Sequence, residues 1–448
     1  MSQRLPEEAA PESARTESPL NFRVASRSRA PFFAAGEALT VWVLWLTYGA
    51  FYFCRSNTSA AIPGMQGELK LSKDEIGTIL AALKIAYGVG QFINGQLADR
   101  FSSRRLLALG LLASAALNVI FGLGTGFYFL LFVWAANGYF QSLGWPPCMR
   151  VAANWFPVER RGRNIGIVGT GYQLTGALTF VVSGLAAEYL GWRFAFYIPA
   201  GILVASCLHM LLFLRESPPG KGERPTAALP DGAGVPAPST RWRSFLQTLL
   251  LTLSNPTLWF LALSLGLLNA CRFGFTDWGI AHLEEVQGKG LTGNALKYAV
   301  LPLGGMAGAL AAGWASDRFF ASRRAPVICV LLVLLSLLAY SYNSVVLLGP
   351  RWTVLTLALV GFTIFGPQVL LVGTAPVDLA RRGTPAAAVG FVNFMGYMGG
   401  SVGDKVTGFL AQHRSWEVSV NFWAGCALAA AFFAALLWNV TVSRETQK

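Results

Sequence analysis

Apolar runs of about 20 residues, separated by short polar breaks, recur along most of the chain, and a helix needs that length to cross the hydrocarbon core of a bilayer. The pattern predicts twelve helical spans, at 38–56, 76–97, 105–124, 127–147, 164–186, 193–214, 256–278, 296–316, 326–348, 352–373, 385–410 and 418–440. The alternating segments of about ten residues that mark a membrane β-barrel are not seen. The longest polar interruption, 216–255, carries Ser217-Pro218-Pro219-Gly220-Lys221-Gly222 and Asp231-Gly232-Ala233-Gly234 and reads as a flexible linker. A short basic amphipathic piece around Arg241-Trp242-Arg243 is expected to lie on the membrane surface. The chain is thus expected to comprise a tail (1–36), a six-span half (37–215), the linker (216–255), a second six-span half (256–440) and a tail (441–448). The fold class is an all-α membrane protein with twelve transmembrane helices in two pseudo-symmetric halves.

Composition agrees. Of 448 residues, 54% are hydrophobic and only 13% are charged, against roughly 25% charged in a soluble domain. An ordinary soluble enzyme and a disordered regulator are both excluded. The net charge of +13 would raise nucleic acid as a partner for a soluble domain, but here the surplus sorts by loop. With both termini inside, seven of the 35 Lys and Arg fall on the outer side (Lys70, Lys73, Arg193, Lys289, Lys297, Arg351 and Arg414). Four lie within spans and all the others are inside, as the positive-inside rule requires. Cytoplasmic termini and a bacterial inner membrane are therefore expected, with no nucleic-acid partner. The first 36 residues hold no apolar core of a cleavable signal. The six cysteines show no metal or disulfide spacing, and no histidine has a histidine or cysteine three or four residues on. With no P-loop and no Gly-x-Ser-x-Gly, neither hydrolysis nor a cofactor is expected.

The two halves repeat. Gly95-Gln96-Leu97-Ala98-Asp99-Arg100 closes span 2 and Gly313-Trp314-Ala315-Ser316-Asp317-Arg318 closes span 8, each followed by an arginine pair, Arg104-Arg105 and Arg323-Arg324. Arg161-Gly162 recurs as Arg382-Gly383, and Pro147 as Pro367, at nearly the same offset. Six spans duplicated into twelve around a central linker is the parallel-repeat plan of transporters of the major facilitator superfamily, whose loop signature the Gly-x-x-x-Asp-Arg segments resemble. Asp99, Arg100, Asp317 and Arg318 are placed to form cytoplasmic latches that break as the halves rock.

Charge inside a membrane is expensive and marks function by default. The basic residues within spans are Arg55, Lys84, Arg272 and Lys405, and the clearest acidic one is Asp404. Arg55 and Arg272 share the repeat offset and are symmetry mates in spans 1 and 7, where the two helices line the central cavity. No acidic residue lies within one helical turn of Arg55, and Asp277 is a turn and a half from Arg272. Two underneutralised guanidiniums call for an anion, since Arg offers a bidentate fork to phosphate or carboxylate at any physiological pH. The alternative is that both arginines are snorkelling end residues, Arg55 lying near the outer end of its predicted span. Tyr48 and Tyr52 share the face of Arg55, and Asn269 that of Arg272. Lys84, Tyr87 and Gln91 form one stripe of span 2, with Lys84 either a second point charge for substrate or a packed structural lysine. Asp404 and Lys405 are either a local structural pair or a selectivity pair, although neighbouring helix positions diverge by about 100°.

Tyr52-Phe53-Cys54-Arg55-Ser56-Asn57, Ala86-Tyr87-Gly88, Gly144-Trp145-Pro146-Pro147-Cys148 and Arg272-Phe273-Gly274-Phe275-Thr276-Asp277-Trp278 resemble the organophosphate:phosphate antiporters. That family includes glycerol-3-phosphate, hexose-phosphate and phosphoglycerate carriers and the endoplasmic-reticulum glucose-6-phosphate transporter. The resemblance covers about residues 40–440. It implies exchange of an external phosphate ester for internal inorganic phosphate, with Arg55 and Arg272 as the phosphate clamp and Tyr48, Tyr52 and Tyr87 lining the site. Two positions depart. The family's span-2 lysine falls at Gln91, with Lys84 two turns earlier on the same face, and the span-5 histidine of the glycerol-3-phosphate carriers falls at Tyr172, followed by Gln173. Both departures point away from glycerol 3-phosphate. The Asp and Lys of span 11 also occur in hexose-phosphate members and tilt the expectation to a sugar phosphate. The expected protein is a monomeric antiporter. A membrane sensor of external sugar phosphate and a proton-coupled symporter of another organic anion are the alternatives.

Overall fold

The structure, a computed structural model, describes residues 36–218, 247–288, 290–320, 323–380 and 385–440. The basic piece at 241–243, most of the linker, Arg382-Gly383 and nearly all of both tails lie outside the described residues. In hydrocarbon a backbone must satisfy its own polar groups, which leaves the helix as the default spanning element, and the described chain is helical throughout.

Twelve helical spans follow in the order read from the sequence. They are span 1, Glu37–Leu69; span 2, Lys73–Arg100; span 3, Ser103–Leu123; span 4, Phe127–Gln141 continued by Trp145–Trp155; span 5, Val158–Tyr189; and span 6, Phe194–Phe213. The second half has span 7, Pro256–Gln287; span 8, Leu291–Phe319; span 9, Arg324–Leu347; span 10, Pro350–Leu379; span 11, Pro385–His413; and span 12, Trp416–Ala435. Ten of these are long and apolar enough by themselves to cross a membrane. Side-chain caps set several starts. Ser72 and Glu75 form a reciprocal capping box at span 2, and Asn255 and Ser415 cap spans 7 and 12.

The clearest departure from the sequence pattern is span 1. Hydropathy ends it at residue 56, but the helix resumes as Thr58–Leu69 after a short 3₁₀ turn, Phe51–Cys54. The polar Asn57, Gln66 and Glu68 mask that continuation in the hydropathy pattern. Arg55 therefore sits mid-span, too far from either end to snorkel. Breaks recur at related places. Span 4 turns at 142–144, span 7 carries a π-helical turn at Gly274–Trp278, and span 10 carries one at Leu370–Thr374. Discontinuous helices of this kind present backbone groups and side chains to a central cavity.

The halves meet along two seams, span 2 against span 11 and span 5 against span 8. Glycines bring backbones together there, as small residues do in membranes. A Cβ on Gly77 would lie 2.7 Å from the Asp404 carbonyl oxygen, and one on Gly408 would strike the Lys73 carbonyl. Both contacts lie at the end of the bundle remote from the starts of spans 1 and 7. At that end Thr58–Leu69 of span 1 also packs on Gly279–Gln287 of span 7. Ion pairs from Lys73 to Glu285 (2.8 Å) and from Lys405 to Asp74 (2.7 Å) join the halves there. Toward the opposite end, Gly95, Gly169, Gly313 and Gly390 of the same four spans have nothing within 4 Å of an added Cβ. The bundle is shut at the far end and opens toward the end where spans 1 and 7 begin.

Within the second half, a Cβ on Gly361 would overlap the Leu301 backbone carbonyl, holding span 10 against span 8. Gly361→Ala is expected to destabilise the detergent-solubilised protein by about 1–3 kcal/mol, the usual cost of overpacking. Gly313→Ala should be neutral or slightly stabilising, because nothing stands within 4 Å of its added methyl. Thermal unfolding of both variants checks the pair; equal melting temperatures would mean that the seam between spans 8 and 10 is not close-packed.

Candidate substrate site

Arg55 owes its position to the break in span 1. Where helical bonding lapses after Phe51, carbonyls are released into the bundle interior, and buried amides collect them. Gln141 Nε2 donates to the Phe51 and Cys54 carbonyls at 3.1 and 3.3 Å, and Asn137 donates to that of Cys54 at 2.9 Å. Asn57 donates to Asn118 Oδ1 and to the Ala195 carbonyl. The same Gln141 accepts from Arg55 Nε and Nη2 at 3.2 and 3.1 Å through Oε1. The guanidinium lies over the rings of Tyr52 and Tyr87, 4.6 and 4.4 Å from their centroids. Arg55 is thus held by a neutral acceptor and two rings, and among the described residues no carboxylate is bonded to it.

Arg272 is buried at the last turn of the regular part of span 7, just before the π turn. Its guanidinium carbon lies 4.7 Å from the Phe273 ring centroid and 5.1 Å from that of Phe365, and its Nε has no hydrogen-bond partner. Arg55 and Arg272 line one central cavity together with Tyr52, Lys84, Tyr87, Tyr172, Gln173, Asp277 and Tyr397.

Other residues singled out from the sequence stand outside the lining. Tyr48 is a layer back, its ring against Trp145 (4.7 Å), Tyr52 and Tyr172. Gln91, one turn along span 2 from Tyr87, donates to its hydroxyl at 2.8 Å. Asn269 faces Gly396 and Gly400 of span 11 rather than the cavity, and leaves its Oδ1 without a donor. Tyr172 reaches the lining and stacks on Tyr52 at 5.0 Å.

The sequence reading of the remaining charges needs correction. Lys84 is no uncompensated charge for substrate. Its ammonium reaches Asp277 of span 7 at 2.5 Å and also contacts Asp404 of span 11. Asp404 and Lys405 are not a pair with each other, because adjacent helix positions point apart. Asp404 turns inward to Lys84, whereas Lys405 turns to Asp74 (2.7 Å) and Thr78 (2.9 Å) of span 2. At the opposite end Asp317 meets Arg324 at 2.7 Å, and Arg324 also reaches Asp378 at 3.4 Å. Arg100 and Arg318 are exposed, and the Asp99 side chain lies outside the described residues.

Gln141 escaped the sequence reading. The available signal was an amide pair, Asn137 and Gln141, four residues apart on one face of an otherwise apolar span. Among the described residues, no three His, Cys, Asp or Glu side chains are grouped to hold a metal ion.

Comparison with known proteins agrees with this architecture. Residues 44–403 match the model of the Major Facilitator Superfamily. The glycerol-3-phosphate transporter of Bacillus subtilis strain 168 is 32% identical, over 88% of this chain and 91% of that one. A probable hexose phosphate transport protein of Chlamydia trachomatis serovar D is 29% identical over 89% and 90%. The membrane sensor protein UhpC of Escherichia coli strain K12 is 30% identical over 88% and 90%. Among solved structures, a bacterial homologue of the human lysosomal transporter Spinster, inward-facing and occupied, superposes with a TM-score of 0.71 at 18% identity, over 90% of this chain and 97% of that one. The nucleoside transporter NupG gives 0.69 at 14%, over 91% and 100%; both likenesses bear on the fold alone. With the duplicated six-span halves, the cleft between them and relatives spanning nearly its whole length, the chain belongs to the Major Facilitator Superfamily and, within it, to the organophosphate:phosphate antiporter family.

Proposed function

We propose that the protein exchanges an organic phosphate ester for inorganic phosphate across a bacterial plasma membrane. One observation carries this reading: two symmetry-related guanidiniums face one buried cavity, with no carboxylate bonded to either among the described residues. In a medium of low dielectric such a pair needs an anion, and a phosphate group can meet both forks at once. The names of the relatives, glycerol-3-phosphate and hexose phosphate transporters, support the same ligand class.

Charge also favours obligatory exchange. The empty cavity carries Arg55 and Arg272 uncompensated, so moving it across the membrane is costly, while an anion of either kind lowers that cost. The halves then rock about the two seams as rigid bodies, closing the open end around the ligand and separating the far end. With both termini cytoplasmic, the described conformation faces inward. Lys405, which binds span 2 across the halves, acts on the far gate, and Asp404, paired with Lys84, acts at the cavity. A single chain contains both halves of the site and works as a monomer. The name of UhpC supports a second reading, a sensor of external phosphate ester. Uptake of labelled ester by purified protein in phosphate-loaded liposomes separates the two, since a sensor would bind without net counterflow.

Arg55→Lys and Arg272→Lys are each expected to lower phosphate self-exchange at least about a hundredfold, or about 2.7 kcal/mol, with the protein still in the membrane. Lysine keeps the charge but loses the fork. Counterflow of labelled phosphate in proteoliposomes is the measurement, and wild-type exchange in either variant would remove that arginine from the site.

Gln141→Leu keeps the side-chain volume but removes the acceptor that orients Arg55 and the donor that fills the broken turn. A hydrogen bond to a charged group contributes about 1.5–3 kcal/mol. The KM for phosphate should therefore rise about tenfold or more while the maximal exchange rate changes little. An unchanged KM in a correctly folded variant would mean that the two rings alone orient Arg55.

A further inference from the structure

The cavity continues past the arginines toward the shut end. Span 2 runs inward from that end, so Leu80, Leu83 and Lys84 come before Tyr87. Span 7 runs outward, so Thr276 and Asp277 follow Arg272. These residues line the deep part of the cavity with the buried rings of Trp134 and Phe180. Trp134 is fixed from behind by Phe121 and Phe196, at 4.8 and 5.7 Å between ring centroids.

The chemistry of this deep end is the reverse of the arginine end. Asp277 Oδ2 accepts from Lys84 at 2.5 Å and Oδ1 from the Thr276 hydroxyl at 3.1 Å, while its side chain stays 14% exposed to the cavity. Asp404 is wholly buried behind it on the same ammonium, with the Trp278 side chain as a further neighbouring donor. Lys84 Nζ also stands over the Phe273 ring, 4.2 Å from its centroid, and the Arg272 guanidinium lies over that ring too. Two carboxyl groups thus share one ammonium and a single hydroxyl. Each carboxylate accepts at about four sites, and acceptors outnumber donors.

We propose that this deep end, Leu80, Leu83, Trp134 and Phe180 with Asp277 held by Lys84, is the subsite for the organic moiety of the ester, and that it takes a neutral polyhydroxylated carbon chain or ring and rejects one bearing a carboxylate. Hydroxyls of the moiety donate to Asp277 while its C–H faces lie on the apolar walls. A carboxylate there would bring further acceptors against Asp277, whose neighbouring donors are already taken, and natural sites exclude wrong ligands by such mismatches. The ester enters the open end organic part first, and its phosphate comes to rest between the two arginines. The assignment rests on the phosphate-clamp reading given above.

Matched pairs of competitors test it. Purified protein in phosphate-loaded liposomes exchanges labelled phosphate in the presence of sorbitol 6-phosphate or 6-phosphogluconate, and separately glycerol 3-phosphate or 3-phosphoglycerate. Each pair shares a skeleton and differs by one hydroxymethyl or carboxylate end. Within each pair the alcohol is expected to inhibit at a concentration at least tenfold lower. In Asp277→Asn the cavity-facing carboxylate is replaced by an amide that can donate, and the gap should shrink to about threefold or less, chiefly through better inhibition by the acid. Equal inhibition within both wild-type pairs overturns the subsite, whatever the variant does. A wild-type gap that survives intact in an exchanging Asp277→Asn also overturns it. If that variant does not exchange, the two wild-type pairs decide. Absence of labelled-phosphate exchange in wild type would count against the phosphate clamp itself.

Discussion

The rest of this bundle depends on two guanidiniums that, among the described residues, have no carboxylate bonded to them. Burying an uncompensated charge in a membrane costs several kcal/mol, so the surroundings of each arginine are built to tolerate it without cancelling it. Arg55 receives a neutral carbonyl and two aromatic faces. Arg272 receives two phenylalanine faces and is left with an empty Nε. Every carboxylate near the cavity is assigned elsewhere, Asp277 and Asp404 to Lys84 and Asp74 to Lys405. Lys84 thus serves the arginines indirectly, because it occupies the acids that would otherwise neutralise them.

The broken helices belong to the same design. A continuous span 1 would have no spare carbonyls to bind Gln141 and would turn Arg55 with its helix. The 3₁₀ turn gives up regular hydrogen bonds, and Asn137 and Gln141 replace them from span 4. The guanidinium is therefore fixed by a neighbouring helix of its own half. Arg272, in span 7, belongs to the other half. Under the proposed exchange, a ligand held by both would tie the two halves together.

Much of this is legible in the sequence, and the limits are physical. The twelve spans, the duplication and the symmetric arginines follow from hydropathy and spacing, because membrane burial forces long apolar runs and makes internal charge conspicuous. The continuation of span 1 beyond Arg55 is hidden, since Asn57, Gln66 and Glu68 read as a loop unless their packing against other helices is known. The partners of Lys84, Asp404 and Lys405 are also hidden. Each lies on a helix more than 190 residues away along the chain, and one sequence reveals helical faces but not which face meets which. Tyr48, Gln91 and Asn269 stand outside the cavity lining, a distinction of a few ångströms that periodicity does not resolve.

The pairs Lys73–Glu285 and Lys405–Asp74 lie at the rim of the shut end, partly open to solvent, with side chains 13–45% exposed. Exposed pairs of this kind contribute about 0.2–1 kcal/mol each and weaken as salt rises. Together they tilt the empty molecule toward its shut posture by at most about 2 kcal/mol, a bias of about thirtyfold or less. Such a bias is small enough for the ionic strength of the surrounding fluid to retune. Under the proposed exchange, the salinity on one side of the membrane would then set how long the molecule waits, turned away, between cycles.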